Sequence, residues 1–176
     1  AEFPAARYTI VGDGPARRRL EEHALQLGVR DRVDFLGRVP EDALARCYDA
    51  CHVFLLPSRS EGFGIVFAEA MLHARPVVAG SLDAASEVVG HGEAGLIVDP
   101  TEEAEVARAV CGLLRDPARA RRLGQAGRQR VLAQFTPDHF ARNVAALLAD
   151  LGLAPGSSDS AGPAEESPAA LARKEA

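Results

Sequence analysis

Short apolar runs alternate with longer amphipathic stretches between residues 7 and 98 of the chain. The runs are rich in β-branched and aromatic residues and end at Gly or Pro, which indicates strands. The predicted strands cover residues 7–11, 32–37, 52–57, 75–80 and 95–98. Between them the spacing is helical, and the predicted helices cover 16–28, 41–51, 84–89 and a segment that begins at Gly64 or Ile65.

The order of these elements predicts an α/β fold. The strand "HVFLLP" (52–57) is apolar nearly throughout, which suits a strand covered on both faces. Strands separated by helices of this size need right-handed crossovers, which place helices on both sides of the strands. We therefore expect a Rossmann-like parallel sheet with helices on both faces.

Beyond Asp99 the pattern is helical to about residue 150. Thr101 is the predicted N-cap of the first of these helices, Pro117 opens the second, and Thr136-Pro137 opens the third. From Gly152 onward the sequence is rich in Pro, Gly, Ser and Glu and has too little apolar area to offset the entropy of ordering. We expect one domain over 1–150 and a disordered tail over 151–176.

Composition narrows the class of protein. Of the 176 residues, 47% are apolar, which is enough for a sizeable core, and no apolar run approaches membrane-spanning length. The net charge of -5 argues against a dedicated nucleic-acid binder. The first residues lack the layout of a signal peptide, and three cysteines are too few for a disulfide framework. We expect a cytoplasmic protein.

Two glutamates in "EGFGIVFAEAM" are candidate functional residues. A helix that begins near Gly64 places Ile65, Ala68 and Leu72 on one stripe, with Phe67 and Met71 beside it, and Glu69 lies among these apolar residues. A buried carboxylate costs several kcal/mol unless a group donates hydrogen bonds to it. A nearby arginine or a pair of ligand hydroxyls could supply those bonds.

The other glutamate, Glu61, matches a capping box with Ser58, but glycines at 62 and 64 disfavour a first helical turn there. We therefore place Glu61 in the loop at the C-terminal edge of the sheet, where open parallel sheets bind ligands. Backbone N–H groups at these glycines and the N-terminus of the next helix would suit a phosphate. A phosphate site flanked by two carboxylates suits a nucleotide sugar, and a helix cap plus a salt-bridged Glu69 is the structural alternative.

The same stretch resembles a known family. "PSRSEGFGIVFAEAM" followed by "RPVVAG" is similar to the E-x7-E signature of retaining GT-B-type glycosyltransferases, family 4 in particular. "IVGDGP", "RVDFLGRVP", "GEAGLIVDP" and "GRQRVLAQF" resemble segments of that family's C-terminal domain, in the family's order. The resemblance implies the C-terminal half of a GT-B fold. In this family that half binds the nucleotide-sugar donor, and the N-terminal half binds the acceptor.

The resemblance also implies roles for individual residues. Glu61 is the implied catalytic residue and would contact sugar hydroxyls near the reacting end, whereas Glu69 would accept hydrogen bonds from ribose hydroxyls. The implied holders of the sugar and diphosphate are the backbone groups of Gly62, Phe63, Gly64, Ile65 and Val66. Arg38 and Val39 would border the base, and Gly12 and Gly14 would line the cleft.

The implied reaction is transfer of a hexosyl group with retention of configuration, by front-face attack assisted by the leaving phosphate. A nucleophilic Glu61 is the less favoured alternative. No metal or cofactor is expected, because basic side chains and helix N-termini would stabilise the departing diphosphate. The expected partners are the nucleotide-sugar donor, an N-terminal GT-B domain in cis or in trans, and a glycan, lipid or small-molecule acceptor.

The sequence also departs from the family's pattern. The segment that carries the family's diphosphate-clamping Arg and Lys, together with the first β-α unit and the acceptor domain, is absent from the sequence, so we expect this chain alone to be inactive or nearly so. Asp83-Ala84 stands where two glycines are common, although Glu87 is kept. These departures motivate an alternative function, a non-catalytic GT-B-like interaction module that has lost turnover.

Other motifs favour plainer interpretations. "VGDGPAR" lacks the third glycine of a dinucleotide fingerprint because Arg17 stands there. Cys47 and Cys51 are spaced as small core residues of a helix, without a second ligand pair for a metal. The arginines at 17–19 and 119–130 are predicted to be solvated helix faces. Contact with the inner membrane face through these arginines is the alternative if the acceptor is a lipid.

Overall fold

The computed structural model describes residues 2–58, 64–81, 85–90 and 92–151. It divides into two compact units, residues 1–133 and 134–176. The strands of the described chain are β1 (Tyr8–Val11), β2 (Val33–Gly37), β3 (Phe54–Leu56), β4 (Val77–Gly80) and β5 (Leu96–Val98). The α-helices are α1 (Arg17–Gln26), α2 (Glu41–Ala50), α3 (Ile65–Leu72), α4 (Ala85–Val89), α5 (Glu103–Arg115), α6 (Pro117–Gln134) and α7 (Pro137–Asp150).

The predicted parallel strands are confirmed, and they form two sheets. β1 pairs with β2 in parallel, with Tyr8 opposite Val33. β3, β4 and β5 form a second parallel sheet in which β4 is central. The predicted Rossmann-like fold class is confirmed, and among the described residues no ladder joins the two sheets.

The sheet of β3, β4 and β5 has helices on both faces, as predicted. On one face α3 and α4 contact β4. On the other, α5 contacts β4 and β5, and a core of buried residues forms there. That core consists of Val78, Val98, Leu113 and Ala120.

The prediction that the strand "HVFLLP" is covered on both faces is wrong for β3. Its three residues are only half-buried, whereas Val77, Val78 and Ala79 of β4 are fully buried. The reason is position in the sheet, because within the described ranges β3 lies at the edge of the sheet and pairs with β4 alone. An apolar sequence identifies a strand, but its neighbours decide how deeply it is buried.

The helix ends of the C-terminal region match the sequence prediction at two of three places. Pro117 opens α6, and Thr136 caps α7 by accepting a hydrogen bond from the His139 N–H at 3.3 Å. Thr101 does not cap α5, because the N-cap is Glu102. The Thr101 hydroxyl and N–H instead donate to Asp99 Oδ1 at 2.7 and 2.8 Å.

α6 approaches the end of α3 closely through a glycine. Ala74 follows α3 with a positive φ of 53°, and its N–H and that of Arg75 donate to α3 carbonyls at 2.8 and 3.0 Å. A Cβ at Gly124 of α6 would overlap the Ala74 carbonyl oxygen. The absence of a side chain at this position therefore lets α6 lie against the end of α3.

The second unit contains α7, which has an apolar stripe of its own. Apolar side chains recur at the helical spacing of four, three and four residues and are exposed, and they are Phe140, Val144, Leu147 and Leu151. The predicted tail lies outside the described residues from 152 onward. Among the described helices, none combines the length and apolar character that a membrane crossing requires.

Candidate functional site

The ends of β1 and β2 bring together one group of the predicted site residues. The Gly12 N–H donates to the Gly37 carbonyl at 2.7 Å, which draws the two following loops together. Asp13, Gly14 and Arg38 line an open depression with a volume of about 360 Å³. The sequence did not single out Asp13 as a site residue, although it lies between Gly12 and Gly14 in "GDGP". Val39, the neighbour of Arg38, is half-buried.

Arg38 is the cationic side chain of this depression. It is exposed, and the described part of the chain offers it no carboxylate partner. The Asp13 carboxylate accepts a hydrogen bond from the Gly14 N–H at 2.9 Å and lies 4.0 Å from Arg17. A guanidinium that no described carboxylate pairs with is available for a polar or anionic ligand.

The loop that follows β3 enters α3 at Gly64, as the sequence predicts. Gly64 is the N-cap residue, is buried, and has a left-handed conformation with φ 71°. A Cβ there would lie 2.5 Å from the Phe67 ring, so conformation and space both require glycine. Glu61, Gly62 and Phe63 lie outside the described residues.

The prediction of which face α3 buries is wrong for the stripe itself, although Phe67 and Met71, predicted beside it, are buried. Phe67, Ala70 and Met71 are fully buried, whereas Ile65 and Leu72 of the predicted stripe are 63% and 43% exposed. The hydrophobic pattern could not separate the two faces, because nearly every residue of α3 is apolar. Glu69 shares the more open face with Ile65 and Leu72 and is half-buried.

The Glu69 carboxylate is bound by a residue that the sequence reasoning missed. The Tyr48 hydroxyl of α2 donates to Glu69 Oε2 at 2.8 Å. Among the described residues no arginine pairs with Glu69, and the nearby Arg75 donates to the carbonyls of His73 and Cys51. A sequence pattern could not reveal the tyrosine, because it lies 21 residues away and packing creates the contact.

Tyr48 is buried, with 6% of its surface exposed, and aromatic rings surround it. The Phe54 ring lies 5.7 Å away at a tilt, and the His73 ring stacks on Tyr48 at 5.4 Å. His73 Nδ1 in turn lies 2.8 Å from Asp49 Oδ1. Burial and then the hydrogen bond to Glu69 raise the pKa of Tyr48 well above its ordinary value, so the phenol stays protonated and donates.

The comparison with known proteins decides the family. The model for "Glycosyl transferases group 1" matches residues 1–130. The chain belongs to this family. Within it the chain has the fold of a C-terminal GT-B glycosyltransferase domain, as its structural neighbours also have.

Three similar proteins represent this group 1 family. A "GDP-mannose-dependent alpha-(1-6)-phosphatidylinositol monomannoside mannosyltransferase" of Mycobacterium tuberculosis is 41% identical over 81% of this chain and 39% of its own length. Sucrose-phosphate synthase from Thermosynechococcus elongatus is 35% identical, with TM-score 0.76 over 86% of this chain and 40% of its own. Anabaena HepE in complex with UDP-glucose is 27% identical, with TM-score 0.74 over 84% and 42%. The chain therefore spans about two-fifths of these relatives.

The prediction that the arginines of α1 and α6 form solvated helix faces is wrong for Arg17 and Arg130. Arg17 is not merely solvated, because it donates to the Phe35 carbonyl at 3.1 Å and to Glu21 at 3.0 Å. Arg130 of α6 donates to the carbonyls of Glu87 and Val88 at 2.7 and 2.9 Å. These two arginines join elements of the fold, which the charge pattern alone did not indicate.

The cysteines and the acidic side chains show no metal centre in the described ranges. Cys47 and Cys51 carry free thiols, and no three His, Cys, Asp or Glu side chains there form a group that could hold a metal ion. The expectation that the reaction needs no metal stays a prediction. Asp83 and Ala84, the departures from the family's loop, lie outside the described residues.

Proposed function

We propose that this chain is the nucleotide-sugar binding half of a retaining glycosyltransferase that transfers a hexosyl group. Membership of the group 1 family supports glycosyl transfer. Among the relatives, one is named as GDP-mannose-dependent and another was solved with UDP-glucose, which supports a nucleotide sugar as the donor. The observation that carries the proposal here is Glu69, a half-buried carboxylate to which, among the described residues, one tyrosine donates.

Glu69 has the chemistry that binding a sugar ring requires. An ionised carboxylate accepts up to about four hydrogen bonds, and Tyr48 supplies one of them. The described residues supply no arginine that would neutralise the carboxylate. Two adjacent ribose hydroxyls would fill the remaining acceptor positions, and such charge-assisted bonds contribute about 1.5–3 kcal/mol each.

The N-terminus of α3 suits the diphosphate of the same ligand. Gly64 enters the helix without a side chain, and the first N–H groups of α3 follow at Ile65 and Val66. Helix N-termini bind phosphate through such N–H groups and the helix dipole. Glu69 follows Ile65 by four residues, so it lies on the same face one turn further along the helix.

Arg38 and Val39 would border the base and Gly12 and Gly14 would line the cleft, because their loops form the depression at the ends of β1 and β2. Glu61 would position the sugar hydroxyls at the reacting carbon, with front-face attack of the acceptor and retention of configuration. No metal is needed in this scheme, because the helix N-terminus and basic side chains balance the charge of the departing diphosphate. The acceptor and an N-terminal GT-B domain complete the proposed reaction.

Calorimetric titration tests donor binding. We expect the chain to bind GDP or UDP, and we expect pyrophosphate to bind more weakly. Glu69→Ala should weaken nucleotide binding about 100- to 10,000-fold, because two charge-assisted hydrogen bonds are lost. Glu103→Ala is the matched control, since Glu103 is an exposed glutamate of α5. A folded sample that does not prefer nucleoside diphosphates to pyrophosphate would contradict the proposal.

The alternative of a non-catalytic module rests on Asp83 and Ala84, which the structure does not describe. A complementation assay separates the two functions. The N-terminal half of a group 1 relative is added in cis or in trans, and sugar transfer from a nucleotide sugar is measured. Restored transfer supports the enzyme, whereas tight donor binding without any transfer supports the module.

A further inference from the structure

Tyr48 occupies the last turn of α2 and is the buried residue of that helix. Phe54 and His73 hold its ring from two sides, and Phe67 packs edge-on against Phe54 at 5.9 Å. These contacts leave the ring little freedom. The position of the phenol oxygen is therefore set by the core and by the end of α3.

The Tyr48 hydroxyl contacts one carboxylate oxygen of Glu69, a side chain that could otherwise change rotamer. A carboxylate only accepts, so the Tyr48 O–H donates and Glu69 Oε2 accepts, at 2.8 Å. The described residues provide no second hydrogen-bond donor to Glu69. Oε1 and the second lone pair of Oε2 remain available to a ligand.

The two residues belong to the helices on either side of β3 in the chain. Tyr48 lies at the C-terminal end of α2, which leads into the start of β3. Glu69 is on α3, whose N-terminus follows the end of β3, and helical side chains lean towards the helix N-terminus. The contact between Tyr48 and Glu69 therefore joins the helices that precede and follow β3 in the chain.

We propose that Tyr48 is a positioning residue for the donor site, whose hydroxyl holds Glu69 Oε2 so that the carboxylate is preset to accept the ribose hydroxyls. This inference rests on the proposed function. A glutamate side chain loses much rotamer freedom when a ligand fixes it. Because Tyr48 imposes that restriction when the protein folds, the ligand binds more tightly to the preset carboxylate.

Tyr48→Phe removes the hydroxyl and keeps the ring, so it isolates this effect. The probes are GDP and UDP, each compared with its 2′,3′-dideoxy form, which has no ribose hydroxyls. For the nucleotide that binds, we expect Tyr48→Phe to weaken the ribose form about 5- to 10-fold and to leave the dideoxy form within about 2-fold. The ratio of the two affinities is the readout, because a general loss of packing lowers both.

Two variants complete the design. Tyr8→Phe is the matched control, because Tyr8 of β1 is the second of the two tyrosines and makes no contact with Glu69. In the Glu69→Ala background, Tyr48→Phe should change ribose affinity by less than about 2-fold, since a residue that acts through Glu69 has no effect without it. Thermal unfolding of every variant verifies that the titrated samples are folded.

The outcomes separate this inference from the proposed function. A wild-type preference for the ribose form that Tyr48→Phe leaves unchanged overturns the role of Tyr48 and leaves donor binding intact. An equal loss for both forms of the nucleotide also overturns it, because it reports packing alone. A wild-type chain that does not prefer nucleoside diphosphates to pyrophosphate overturns the proposed function and this inference together.

Discussion

At the scale of single residues, Glu69 illustrates what a sequence can and cannot predict about a polar group. Its place in an apolar helix predicted that some group donates hydrogen bonds to it, and that is confirmed. The prediction weighed an arginine against a ligand, whereas Tyr48 is the internal donor. The predicted buried stripe of α3 was also wrong, since Ile65 and Leu72 are exposed and Glu69 lies on the same, more open face.

Tyr48 should make the stability of the domain depend on pH in alkaline solution. Burial and the Glu69 hydrogen bond raise the pKa of Tyr48 in the folded chain, whereas a tyrosine in the unfolded chain ionises at about pH 10. The contribution of Tyr48 to stability is therefore fully present below pH ~10. Above that pH the unfolded chain releases a proton that the folded chain keeps, so the free energy of unfolding falls as pH rises, by up to about 1.4 kcal/mol per pH unit.

Urea denaturation between about pH 9 and 11.5 measures this slope. Tyr48→Phe should flatten it, and Glu69→Gln should flatten it in part, because burial still raises the tyrosine pKa when the carboxylate is gone. Burial also raises the pKa of Tyr8 and of the Cys51 thiol, so these two groups contribute to the slope of wild type and of Tyr48→Phe alike, and the difference between the two slopes is the readout. Equal slopes for wild type and Tyr48→Phe would show that Tyr48 is not responsible.

At the scale of elements, the close packing of α6 on the end of α3 depends on Gly124. A methyl group there would overlap the Ala74 carbonyl, so Gly124→Ala should destabilise the domain by about 2 kcal/mol despite the better helix propensity of alanine. Gly112 of α5 is the matched control, since a Cβ there meets nothing within 4 Å. Gly112→Ala should stabilise by about 0.5–1 kcal/mol.

Chemical denaturation of both variants tests this contrast. The midpoint should move down for Gly124→Ala and up for Gly112→Ala, with similar m-values. Equal shifts in the same direction would mean that α6 does not lie against Ala74 as the structure has it.

Element positions were predictable because they depend on local pattern. Pro117, Thr136 and the glycine before α3 mark helix starts through their own backbone chemistry, and the structure confirms all three. The cap of α5 was misplaced by one residue, because Asp99 engages Thr101. Burial was harder to predict, since it depends on elements distant in sequence.

At the scale of the whole molecule, the fold class followed from the alternation of strands and helices and from the resemblance to GT-B glycosyltransferases. The partition of the strands into two sheets did not, because the sequence of "HVFLLP" is equally compatible with a central strand and with an edge strand. The places of Gly64 before α3 and of Arg38 after β2 agree with the sequence, and the binding roles of both residues stay predictions. Contacts between helices, such as that of Tyr48 with Glu69, required the three-dimensional structure.

The central claim is that Glu69 accepts the ribose hydroxyls of a nucleotide donor. A crystal structure of this chain with bound GDP or UDP measures it most directly. We predict ribose oxygens at hydrogen-bond distance, about 2.6–3.2 Å, from the Glu69 carboxylate, with the Tyr48 hydroxyl still on Oε2 and the phosphates at the start of α3. A nucleotide bound elsewhere, or a Glu69 carboxylate paired with a cation and out of reach of the ribose, would contradict the account.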